Sequence, residues 1–292
     1  FIKGAFSQYL SPTVIDQIVA NPSMLELGGE RRELTPFFSD IQGFSTISEG
    51  LTPEELVQLL NEYLTAMCDI ISSYHGTIDK FEGDAIIAFW GAPLDLPDHA
   101  TVACYATIEM QKRSVEMRKT LREQNRPLLY TRMGLNSGPV VVGNMGSAER
   151  MDYTMMGDVV NLAARLEGAN KFYKTFSMIS GSTYELVKDD VDSRQLDIIR
   201  VVGKNEPVPV HELLERKNQT SSEMSGVVEQ YLKALKLYQD RNFADAVKEF
   251  EKVLSIDPED GPSQTYVKRC GMFLESPPEK DWDGVFTFTE KG

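Results

Sequence analysis

Residues 52–76, TPEELVQLLNEYLTAMCDIISSYHG, leave the backbone little choice. Thr52 is an N-cap, Pro53 suits the first helical position, and Glu55 completes a capping box. Apolar residues then recur at helical spacing until Gly76 ends the run. A second long helix is expected over residues 98–124. Around these two helices the pattern changes to short apolar segments punctuated by Gly. ELTPFFSDI, GTIDKFEG and DAIIAFW read as strands, the last two as a hairpin. Two long helices beside mostly antiparallel strands predict an α+β sandwich with a ferredoxin-like core.

Further along, YTRMGLNSGPVVVGNMGS and RMDYTMMG read as strands around a Gly-rich turn. GDVVNLAARLEGAN reads as a helix, TFSMISG as a strand, STYELVK as a short helix and LDIIRVVGKNEPVPVHELL as a closing hairpin. Residues 6–25 read as two short amphipathic helical pieces, with Ser11-Pro12 opening the second. Residues 215–226 are polar and predict a linker. The chain is thus expected to divide into a helical lead-in (1–29), a main domain (30–214), the linker, and a helical hairpin with a tail (227–292). In that hairpin Ala234, Leu237, Ala246, Phe250, Val253 and Pro258 stand at the spacing of one tetratricopeptide repeat, with Gln230 at the usual early Trp position. One such repeat cannot bury its own apolar face, so it is expected to dock on the main domain, a second chain or the tail.

The formal net charge of −14 over 292 residues argues against a nucleic-acid partner, because like charge repels phosphate. An anionic substrate would need a local cation. Cys68, Cys104 and Cys270 form no close pair and are expected to be free thiols. No run of 18 uninterrupted apolar residues and no secretory signal is present, so this stretch is expected to be cytoplasmic. It starts at Phe1, so the reading allows for a longer parent chain.

Two acids stand out. Asp40 closes an apolar run in FFSDIQGFS, and Asp84 follows a Gly in KFEGD. On adjacent strands they would lie close, and close carboxylates repel unless a cation joins them. Oxygen ligands without His or Cys favour Mg²⁺ or Mn²⁺, and two such ions can clamp a phosphoryl transfer. Taken alone, a strand-end Asp is equally well a turn former.

FSDIQGF, KFEGD, RMGLNSGPVVVG, YTMMGDVVNLAAR and GKNEPVPV occur in this order, and together they resemble the class III nucleotidyl cyclase catalytic domain over about residues 30–214. The resemblance implies a head-to-tail homodimer with active sites at the interface, converting a nucleoside triphosphate to a 3′,5′-cyclic monophosphate and pyrophosphate. It implies that Asp40, Asp84 and the backbone carbonyl of Ile41 hold two Mg²⁺ or Mn²⁺ ions. Asn161 would orient the ribose, Arg165 would stabilise the α-phosphate, and Lys204 would bind the terminal phosphates. Arg132 is open to two readings, phosphate contact or structural ion pair.

By the same resemblance Lys80 and Thr154 select the purine. Lys donates and suits N1 of adenine, while a Thr hydroxyl accepts from the exocyclic amine, so ATP is the expected substrate. The hydroxyl can also donate to O6 of guanine, which keeps a guanylate cyclase in play. A silent nucleotide-binding module is the other alternative. The lead-in resembles segments that carry a signal from an upstream sensor, which implies a membrane-attached parent.

Overall fold

β1 (Gly28–Ile41) is the strand on which the sheet is built. In this computed structural model, which describes residues 15, 19, 27–147, 149–200, 206–279 and 282–287, β1 pairs antiparallel with three neighbours. Its C-terminal half lies between β3 (Ala85–Trp90) and β4 (Thr131–Leu135), and its N-terminal half pairs with β5 (Gly138–Gly146). The sequence pattern begins this strand at Glu33. It starts earlier because β5 supplies ladder partners for Gly28 to Glu33.

α1 (Phe44–Glu49) and α2 (Pro53–Ser73) connect β1 to β2 (Thr77–Glu82), and α3 (His99–Glu123) connects β3 to β4. The sheet runs β4-β1-β3-β2 through this part, the split βαββαβ arrangement the sequence predicts. β7 (Ser177–Ser180), β9 (Val208–Arg216), β8 (Val191–Arg200) and β10 (Phe286–Thr287) extend it beyond β4. β6 (Met151–Met156) pairs with β5, and the chain continues into α4 (Asp158–Tyr173) and α5 (Gly181–Val187).

The capping box at Thr52 and Glu55 forms as expected, and α2 buries Leu59, Tyr63, Met67 and Ile71, a stripe at i, i+4 spacing. That stripe and α3 cover one sheet face with Phe37, Ile41, Ile86, Ala88, Trp90 and Met133 in a single core. The alternate residues of the same strands, Leu34, Ile87 and Phe89, pack on the other face with Val140, Val142 and Met155.

The C-terminal region folds as α6 (Ser222–Gln239), α7 (Phe243–Ile256) and α8 (Gly261–Glu275). α6 begins inside the stretch read as a linker because the Ser221 side chain caps it, accepting from the Met224 N–H. α8, beyond the expected hairpin, is capped in the same way by Asp260. Tyr231, Ala234, Ala246, Phe250 and Tyr266 of these helices share a core with Leu166, Tyr173, Leu196 and Ile199. The helical face is therefore buried against the α/β unit.

Two buried arginines fasten this junction. Arg194 bonds Asp260 at 2.6 Å and Glu212 at 2.6 Å, and Arg269 bonds Asp197 at 2.6 Å. The Tyr173 hydroxyl donates to the same Asp197 oxygen at 2.6 Å. The three cysteines are free thiols. Among the described residues no helix is long and apolar enough to cross a membrane.

Asp197→Ala strands the Arg269 guanidinium, itself 4% exposed, without its carboxylate. Unfolding by urea is expected to show a loss of about 3–5 kcal/mol. His211 stacks on Tyr184 at 4.0 Å, and burial lowers its pKa to about 4, only partly opposed by Glu185. A lowered His pKa favours the neutral ring in the folded state. That contribution is complete above the unfolded value of about 6.5 and disappears as pH falls to about 4, an effect on the order of 3 kcal/mol. Melting temperature measured from pH 7 to 4 should fall less steeply for His211→Phe than for the parent chain.

Candidate active site

Gly83 takes φ +65° in the β2–β3 turn, a conformation that disfavours residues with a Cβ, and so presents Asp84 back toward β1. Asp84 Oδ2 accepts from the Ile41 N–H at 2.9 Å. Asp40, one residue earlier on β1, is in register with Arg132 on β4, and Arg132 Nη2 donates to Asp40 Oδ1 at 3.0 Å. The two acids anticipated from the sequence therefore meet at one end of β1, with the Ile41 backbone between them.

Arg132 has a second acid. Its Nε lies 2.9 Å from Glu167 Oε1, an ion pair with poor hydrogen-bond alignment. α4 approaches β4 closely enough for this because residue 134 is Gly: a Cβ there would meet the Glu167 backbone nitrogen at 2.2 Å. Burial raises the pKa of Asp84, opposed by the Ile41 N–H and reinforced by Asp40. Burial likewise lifts Glu167 to about 7, against the pull of Arg132. Two carboxylates, Asp40 and Glu167, thus share one guanidinium, with Asp84 beside them on the Ile41 N–H.

The donor set fits a hard divalent cation. Asp40, Asp84 and the Ile41 carbonyl offer oxygen only, as Mg²⁺ or Mn²⁺ prefers. Among the described residues no group of three or more His, Cys, Asp or Glu stands ready to hold a metal ion. Such an ion here would take its remaining ligands from backbone, water and substrate phosphate, the usual manner for Mg²⁺.

α4 carries Asn161 and Arg165 one turn apart, Asn161 exposed and Arg165 half-buried. Among the described residues neither side chain has a hydrogen bond or ion pair, so both are available to a ligand. Lys80 on β2 and Thr154 on β6 meet at a fourth acid, Asp79. Thr154 Oγ1 donates to Asp79 Oδ2 at 2.6 Å, and Lys80 Nζ lies 3.5 Å from Asp79 Oδ1. Lys204 lies outside the described residues, as does most of the lead-in.

The histidines are accounted for elsewhere. His99 Nδ1 bonds Thr35 Oγ1 at 2.7 Å in the core, His211 stacks on Tyr184, and His75 takes a positive φ just past α2.

Sequence reasoning missed Asp79 and Glu167. Asp79 is the extra residue of a β-bulge between Ile78 and Lys80, so simple alternation misplaces it. Glu167 is two residues beyond Arg165 and faces another way on the helix; the close approach at Gly134 lets it reach Arg132. A Glu close to the Asn161/Arg165 pair was the available signal. Arg132, left open between two roles, is an ion pair here.

Residues 29–215 match the family described as the Adenylate and Guanylate cyclase catalytic domain. A relative named Adenylate cyclase 1, from Rhizobium meliloti, is 39% identical over 184 residues, covering 63% of this chain and 28% of its own. The chain thus spans less than a third of that relative's length. The adenylyl cyclase CyaB structure from P. aeruginosa is 40% identical with a TM-score of 0.61, covering 67% of this chain and 100% of that one. The guanylyl cyclase Cya2 structure is 36% identical with a TM-score of 0.62, covering 67% and 98%.

Proposed function

The chain belongs to the adenylate and guanylate cyclase catalytic domain family, and from that premise we propose that it converts ATP to 3′,5′-cyclic AMP and pyrophosphate as a head-to-tail homodimer. The observation that carries the reading is the meeting of Asp40 and Asp84 at the end of β1, with the Ile41 backbone between them. The adenylate cyclase relatives support the choice of substrate.

Asp40, Asp84 and the Ile41 carbonyl would hold two Mg²⁺ or Mn²⁺ ions, which would neutralise the triphosphate and lower the pKa of the ribose 3′-hydroxyl. Asn161 holds the ribose so that its 3′-oxygen lies in line with the α-phosphorus. The ribose 3′-hydroxyl gives its proton to solvent water, its oxygen forms the new P–O bond, the bond from the α-phosphorus to the α–β bridging oxygen breaks, and pyrophosphate leaves with that electron pair. Arg165 offers a fork of N–H donors to the charge growing on the α-phosphate. Lys204 takes the terminal phosphates. Lys80 and Thr154 hold the base.

In this geometry Asp40 and Asp84 come from one protomer and Lys80, Thr154, Asn161, Arg165 and Lys204 from its partner. The proposal extends to a cytoplasmic catalytic domain (30–214) driven through the lead-in (1–29) by an upstream membrane-attached sensor, with a TPR-like C-terminal unit (227–292).

Purified chain supplied with ATP or GTP and Mg²⁺ or Mn²⁺ is expected to yield cyclic AMP, and Asp84→Ala to yield only background. Cyclic GMP as the main product would reassign the substrate and keep the mechanism. Mixing Asp40→Ala with Asn161→Ala chains should restore about a quarter of parental activity. Half the randomly mixed dimers are heterodimers, and each holds one intact site of two. Silence from a verified heterodimer would refute the composite site.

A further inference from the structure

We propose that Asp79 is a specificity-determining positioning residue, which fixes the Thr154 hydroxyl as a hydrogen-bond acceptor toward the purine. The inference rests on the reading above, in which Lys80 and Thr154 face the base. A Thr hydroxyl has one O–H and two lone pairs, and an ionised carboxylate only accepts. Thr154 Oγ1 and Asp79 Oδ2 are 2.6 Å apart, the short spacing of a hydroxyl donating to a carboxylate. The single proton of Thr154 is committed there, and what remains for a ligand is lone pairs.

Beside it Lys80 offers an ammonium, which can only donate. An acceptor next to a donor matches the adenine edge, with its 6-amino donor and N1 acceptor. The guanine edge carries O6 and N1–H and mismatches at both positions. A Thr hydroxyl free to rotate would not discriminate in this way, because it can turn and donate to O6.

Asp79 is built into the fold for this contact. Its side chain is 3% exposed, and the bulge between Ile78 and Lys80 inserts it as the unpaired residue of β2. Bulges of this kind re-aim side chains beside active sites. Burial raises the Asp79 pKa, while the Thr154 hydroxyl and the Lys80 ammonium hold it down.

The test compares kcat/KM for ATP and for GTP in the full chain and in Asp79→Asn. Loss of the acceptor-only partner lets the hydroxyl turn, so the ATP:GTP ratio is expected to fall by about tenfold. A merely structural role would lower both constants together and leave the ratio unchanged, and that result overturns the proposal. In a Thr154→Val background Asp79→Asn should leave the ratio where Thr154→Val set it; a further fall would place the action of Asp79 elsewhere and overturn it too. Should Asp79→Asn lack turnover, competition of ATP against GTP for binding reads the same ratio, and a retained ATP preference refutes the inference. A parental chain that itself prefers GTP overturns the base reading beneath it, a failure seen without any variant.

Discussion

Asp40 and Asp84 end neighbouring strand segments, and the mutual repulsion of their charges sets the terms for everything near them. Arg132 stands opposite Asp40 on β4, and the Ile41 N–H is given to Asp84. Neither contact neutralises the site, because Arg132 is shared between Asp40 and Glu167. The cluster is therefore short of positive charge. On the function proposed above, a polyanionic substrate would need cations to approach it, which matches the oxygen-only donors.

The same cluster ties the sheet to α4. Gly134 lets the helix backbone lie against β4, which brings Glu167 to Arg132 and sets Asn161 and Arg165 further along the same helix. At its other end α4 is held by the C-terminal helices. Tyr173 bonds Asp197, Asp197 bonds Arg269, and Thr265 Oγ1 donates to the Phe172 carbonyl at 2.9 Å. The helix that carries Asn161 and Arg165 is thus held to the sheet through Glu167 and to the C-terminal helices through Phe172 and Tyr173. β8, where β10 adds its short parallel pairing, joins the same junction.

The contact between Asp79 and Thr154 shows how a small backbone irregularity joins residues of two strands. Lys80 and Thr154 were legible from their motifs, yet the direction of the Thr154 hydroxyl was not. It depends on Asp79, whose reach across to β6 follows from one extra residue in β2 and from the β5–β6 arm folding beside it.

The local sequence by itself determined the long helices, the hairpins and the order of the motifs. Capping at Thr52, the stop at Gly76 and period-two apolar runs are short-range signals, and short-range forces are enough to fulfil them. It also marked Asp40, Asp84, Asn161 and Arg165, since each lies in a motif that contains its own turn or helix. What it left undetermined were contacts between residues distant along the chain: Asp40 with Arg132, Arg132 with Glu167, Asp79 with Thr154, and Arg269 with Asp197. Those pairings depend on strand register, on the closeness that one glycine permits, and on a bulge that breaks alternation. Each is set by packing of the whole sheet against its helices, so only the tertiary structure could decide it.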